Sequence, residues 1–135
     1  MITFELNQSS DRMQLLANSL ASLRSSLSTR LDIKLNLVIE EVVENIFNNN
    51  ANIDLYVKIT INFSVDNKGK ISILFCDNGS EFDLTNYQFK GIPNQDVSRG
   101  RGIYLIKHYA SSISYKRNQH LNILKIMIGD KNECD

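Results

Sequence analysis

Val57-Lys58-Ile59-Thr60-Ile61-Asn62-Phe63-Ser64-Val65 runs into Asp66-Asn67-Lys68-Gly69, and Ile71-Ser72-Ile73-Leu74-Phe75-Cys76 follows. Val57, Ile59, Ile61, Phe63 and Val65 alternate with polar residues, which is the pattern of a strand with one buried face. Asp, Asn and Gly supply the turn that sends the chain back as a second strand. The segment therefore predicts an antiparallel hairpin whose apolar side needs a cover.

The cover lies upstream. Leu35, Val38, Ile39, Val42 and Ile46 recur at helical spacing and predict a helix over about 33–49, with Thr29 and Asp32 as cap residues and Asn48-Asn49-Asn50-Ala51-Asn52 as its end. Met13, Leu16, Leu20, Leu23 and Leu27 predict an earlier helix after Ser9-Ser10-Asp11, and Ile2, Phe4 and Leu6 a first strand. Downstream, residues 80–99 hold no period and contain Gly91 and Pro93. A connection of that length is usually functional. A third helix carrying Ile103, Leu105, Ile106 and Tyr109 begins near Gly100 or Gly102. Strands near 113–116 and 121–128 flank a turn at Arg117-Asn118-Gln119-His120. The order β-α-α-β-β-α-β-β does not alternate as a doubly wound fold would. It predicts one α+β domain over 1–135, a two-layer α/β sandwich with a mostly antiparallel sheet covered on one face by three helices.

Composition narrows the function. The chain has 135 residues, of which 42% are hydrophobic and 22% charged, so it has the make-up of a single globular domain. Fifteen basic and fifteen acidic residues cancel, which argues against non-specific nucleic-acid binding. Cys76 and Cys134 are too few for a disulfide framework and fit a reducing, cytoplasmic setting. No apolar run is long enough to span a membrane, and the first residues lack the pattern of a signal peptide.

Three places could carry chemistry. Glu41 and Asn45 are four residues apart, so they share one edge of the helix's apolar stripe, while Glu40 and Glu44 should meet solvent. The pair is either a polar helix shoulder or a site whose oxygens suit a hard cation such as Mg²⁺. Cys76-Asp77-Asn78-Gly79-Ser80-Glu81-Phe82-Asp83 runs from a strand into an Asp and a Gly. It is either an ordinary turn or an acid placed to accept a ligand N–H, with Phe82 as a pocket wall or core plug. Ser98-Arg99-Gly100-Arg101-Gly102 opens a helix. It is either a flexible loop end or a phosphate site made of free N–H groups and two arginines. The spacing fits neither a P-loop nor a Rossmann fingerprint.

The order of these elements is more specific than any one of them. Glu-x-x-x-Asn on a helix, a strand ending in Asp-x-Gly, a long loop and Gly-x-Gly opening a helix together resemble the GHKL (Bergerat-fold) ATPase superfamily. Asp77-Asn78-Gly79-Ser80-Glu81-Phe82-Asp83 is most similar to its anti-sigma-factor serine kinase branch, as are Ile113-Ser114-Tyr115-Lys116-Arg117 and Asn122-Ile123-Leu124. The resemblance spans Ile2 to Ile128. It implies ATP and Mg²⁺ as cofactors: Asp77 on the adenine amino group, Gly79 leaving room for the ring, Phe82 lining the pocket and Asn45 holding the metal. It further implies Glu41 as general base, the backbone of Gly100 and Gly102 around phosphate with Arg99 and Arg101 nearby, and residues 80–99 as an ATP lid. Asn49 stands where many relatives carry His, and Glu81 replaces a second glycine of the Asp-x-Gly box. By the same resemblance the protein is an ATP-dependent serine/threonine kinase acting on a STAS-type anti-anti-sigma protein and binding a sigma factor or similar regulator, with a homodimer compatible. The rival expectations are a nucleotide-binding partner-switch module without useful catalysis, a stand-alone histidine-kinase-type ATP-binding domain, and a scaffold that binds no nucleotide.

Overall fold

The computed structural model describes residues 2–7, 29–52, 56–86 and 98–129, less the side chains of Ile2, Phe4 and residues 98–101. Among the described residues five strands and two helices follow in the order β1 (Ile2–Asn7), α1 (Thr29–Asn49), β2 (Lys58–Val65), β3 (Ile71–Asp77), α2 (Ser98–Tyr109), β4 (Ser112–Asn118) and β5 (Leu121–Ile128), with a 3₁₀ turn at Leu84–Asn86. The helix expected over the Met13–Leu27 stripe lies outside the described residues. The strands form one sheet, β1-β2-β3-β5-β4, in which every pairing is antiparallel. This is the expected α+β architecture, with one sheet face sharing a core with both helices.

The hairpin forms as its residues dictate. The Asp66 carboxylate accepts from the backbone N–H of Lys68 at 2.8 Å and of Lys70 at 2.9 Å, and Gly69 takes the left-handed φ of +83° that the turn requires. Those backbone donors, Lys70 first, hold the Asp66 carboxyl below its usual range. Register then stacks the inward residues in rows across the sheet. One row reads Phe63, Ile73, Ile126, Ile113 and the next Ile61, Phe75, Leu124, Tyr115. The row at the sheet's end reads Leu6, Ile59, Asp77, Asn122, Arg117. It begins apolar on β1 and β2 and turns polar on β3, β5 and β4.

Helix α1 lays Leu31, Leu35, Val38, Ile39, Val42, Val43 and Ile46 into the core. Glu40 and Glu44 are exposed, as the helical wheel requires. The helix starts at Thr29, four residues before the expected Ile33, because Leu31 is also buried and extends the apolar stripe toward the N-terminus. Asp32 therefore sits in the first turn, where a carboxylate is favoured by the helix dipole, and it accepts from Asn36 Nδ2 at 3.1 Å. Helix α2 begins at Ser98, not at Gly100 or Gly102. Glycine costs a helix about 1 kcal/mol relative to alanine. Ile103 and Ile106 are fully buried in the shared core, and their packing outweighs that propensity. Strand β4 also runs further than expected, through Asn118, so the turn shrinks to Gln119 and His120, with Gln119 at φ +58°. Among the described residues no helix is long and apolar enough to cross a membrane.

Candidate functional site

The polar end of the last row is the floor of a pocket. Val42, Asn45, Ile46, Asn49 and Asn50 of α1 and the turn after it line one side, and Ser80, Phe82 and Leu84 another. Asp77, Tyr115, Asn122 and Leu124 close it from the sheet. The empty space is about 370 Å³, including solvent at the mouth.

Asp77 reaches the pocket because strand periodicity leaves it no other direction. Ile71, Ile73, Phe75 and Asp77 point the same way, and all four are buried. Its Oδ1 accepts from Gly79 N at 2.8 Å and from Asn122 Nδ2 at 2.9 Å. No described residue engages its Oδ2. Burial pushes the Asp77 carboxyl above its usual range, while the bonds from Asn122 and Gly79 and the charge of Arg117 act in the opposite direction. The result is a carboxylate held at one oxygen and presented at the other.

Asn45 is 8% exposed and lines the same pocket. No described residue forms a hydrogen bond with its carboxamide. Asp77 and Asn45 thus line a common cavity, and Asn49 and Phe82 line it with them.

Glu41 lies one turn before Asn45 but does not line this pocket. It faces α2: a Cβ built on Gly102 would stand 2.5 Å from Glu41 Oε1. Gly102 is buried as the fifth residue of α2, where its missing side chain makes room for that carboxylate. Arg99, Gly100 and Arg101 occupy the first turns of α2, where N–H groups lack helical partners. The middle of the segment expected as a lid, 87–97, lies outside the described residues. Its start is ordered around Asp83, which accepts from Thr85 N at 2.9 Å, and around the buried Leu84.

Four residues to which the sequence reading gave no role in the site, Asn50, Tyr115, Arg117 and Asn122, complete it. Asn50 donates to Ile46 O at 2.7 Å and accepts from Ser80 N at 2.9 Å, tying the end of α1 to the loop after β3. It also explains Gly79: a Cβ there would meet Asn50 Nδ2 at 2.5 Å, so the space beside this glycine is filled by Asn50. Asn122 donates to Asp77 Oδ1 and to Ser80 O, both at 2.9 Å. Its own Oδ1 accepts from Tyr115 OH at 2.5 Å and from Arg117 Nη1 at 3.1 Å. Arg117 Nη1 also donates to Gly79 O at 2.8 Å. The available signal was phase. Asn122 shares period two with Leu124, Ile126 and Ile128, so it had to face inward, and Asn50 follows Ile46 by one helical turn.

Among the described residues no group of three or more His, Cys, Asp or Glu side chains is gathered as a metal site. A cation here would share Asn45 with a ligand that brings its own oxygens, as Mg²⁺ does with phosphates. The family model of the histidine kinase-like ATPase domain matches the chain over residues 4–128. No curated protein matches it.

Proposed function

The chain belongs to the histidine kinase-like ATPase family and is an ATP-binding domain, and from that premise we propose that it is a protein serine/threonine kinase that uses Mg-ATP to phosphorylate a STAS-type anti-anti-sigma partner. The observation that supports the ATP site is the meeting of two polar groups in one pocket: Asp77, whose Oδ2 no described residue engages, and the Asn45 carboxamide, a neutral oxygen donor. An adenine amino hydrogen fits the first. The second fits a hard cation carried by the phosphates.

In this reading Asp77 grips the base and Phe82 and Leu84 exclude water from the ring. Asn45 would hold Mg²⁺, which supplies neutralisation of phosphate charge. The first turns of α2, with Arg99 and Arg101, offer N–H groups and positive charge to the phosphates. Glu41, one turn from Asn45, is the group placed to take the proton from an attacking serine hydroxyl, directly or through water. A sigma factor or similar regulator would alternate with the STAS-type protein as binding partner, and two copies of the chain would pair.

Incubation with Mg-ATP and a cognate STAS-type protein, followed by mass spectrometry, tests this reading. One phosphoserine on the partner, lost with Glu41→Ala, is the expected result. No transfer by the wild type despite firm ATP binding would leave a nucleotide-dependent partner switch. The seating of Glu41 against Gly102, outside the pocket lining, favours that second reading.

A further inference from the structure

The hydrogen bonds of Asn122, which include a long one from its amino group to Gly79 O at 3.5 Å, saturate its carboxamide. Both amino hydrogens are given, to Asp77 Oδ1 and Ser80 O, and both lone pairs of its oxygen are taken, by Tyr115 OH and Arg117 Nη1. Tyrosine can donate or accept, so it does not decide which way the amide faces. A guanidinium only donates. Arg117 is itself anchored, with Nη1 on Gly79 O at 2.8 Å and Nε on Gln119 O at 3.1 Å. The oxygen of Asn122 must therefore face Arg117, and its amino group must face Asp77. Asp77 Oδ1 is then an acceptor with two donors on it, Asn122 and Gly79 N, and is full. The other oxygen, Oδ2, is engaged by no described residue.

That count has a chemical consequence. Guanine offers N1–H and N2–H side by side, a pair that suits both oxygens of a carboxylate. Turned as adenine would be, guanine sets its O6 acceptor against Oδ2. Adenine needs a single acceptor for its amino hydrogen. We propose that Asn122, oriented by the acceptors Asp77 and Ser80 O on one side and by the donor Arg117 on the other, is the positioning residue that occupies Asp77 Oδ1, leaves Oδ2 to a ligand and thereby makes the pocket prefer an amino-bearing purine over guanine. The proposal rests on the nucleotide site described above and adds to it the residues that set its base selectivity.

Equilibrium binding of ADP and of GDP, measured by calorimetry without divalent metal, tests it. Wild type should prefer ADP. Asn122→Ala should shrink the ADP-to-GDP affinity ratio by roughly tenfold, the value of about one hydrogen bond to a charged group. Arg117→Met, which keeps the alkyl stem and removes the donor that anchors the Asn122 oxygen and Gly79 O, should shrink it by a smaller factor. Arg117→Lys, which can only donate, should restore most of it. A ratio unchanged in Asn122→Ala and Arg117→Met overturns the proposal, as does an equal loss for both nucleotides, which is what a merely structural role would give. Should Asn122→Ala fail to fold, the two Arg117 variants decide alone. Wild type that binds ADP without preference over GDP overturns this inference only, whereas wild type that binds neither overturns the nucleotide site itself.

Discussion

Replacing Asp77 by Asn separates the cost of the carboxylate to the fold from its use to a ligand. The amide oxygen of the variant can still accept from Gly79 N and Asn122 Nδ2, the two bonds that hold Oδ1 in place. What changes is the outer atom, from an acceptor to an NH₂ donor. A base amino group would then meet a donor, and one hydrogen bond to a charged group would be lost, about 1.5–3 kcal/mol. ADP affinity should fall by about 10- to 160-fold. The stability of the empty protein should move the other way. Burial raises the Asp77 carboxyl above its unfolded value, so its protonated form is the one the fold favours. The stability this gives is fully present below the ordinary carboxyl value of 3.8 and is lost as pH rises through the raised folded value. The asparagine variant has no such loss. Its advantage over wild type should therefore be small in acid and widen toward neutral pH. Thermal unfolding of both proteins from pH 4 to pH 8, with and without ADP, reads both effects. A variant that binds ADP as wild type does, or a stability gap that narrows as pH rises, would refute the reasoning.

Three further substitutions probe the neighbouring groups. Asn45→Ala removes an amide that no described residue engages, so unfolding in urea should shift by less than about 1 kcal/mol; the gain in ATP affinity on adding Mg²⁺ should drop roughly tenfold, and a retained gain would remove Asn45 from the cation site. Gly79→Ala puts a Cβ 2.5 Å from Asn50 Nδ2 and should destabilise by about 1–3 kcal/mol. Asn50→Ala should cost less in that background than alone, and strict additivity in a double-mutant cycle would show that the two do not touch. Gly102→Ala gains about 1 kcal/mol of helix propensity but displaces Glu41 Oε1, so stability should be nearly unchanged. If Glu41 is the base, phosphoryl transfer should fall about tenfold with ADP affinity held within about threefold, and an unaltered turnover would detach Glu41 from the chemistry.

The parts of this molecule that could be read from its residues are those set by periodicity. Ile59, Ile61 and Phe63 had to face one way, Leu35 to Ile46 had to form one stripe, and Asp77 had to follow Phe75 into the same face. Those three facts already placed an acid at the end of a buried strand beneath a helix carrying Asn45. What resisted reading depended on contacts between distant segments. Gly102 looked like a helix start because glycine is a poor helix former, yet it sits inside α2 because Glu41, sixty-one positions earlier, occupies the space a side chain would need. Gly79 looked like room for a ring, and the atoms beside it belong to Asn50. Asn122 was visible as an inward polar residue, but its partner across the ladder appears only once Asp77 and Asn122 fall in register. Strand pairing converts two isolated polar residues, forty-five positions apart, into one hydrogen-bonded unit. The same register brings Arg117 opposite Asn122. A slip of one residue would turn all three toward the other face of the sheet. The hydrophobic pattern that fixes this register therefore also fixes the electrostatics of the pocket: Phe75 opposite Leu124 and Ile73 opposite Ile126 hold the sheet in the alignment that puts the amide of Asn122 between an acid and a guanidinium.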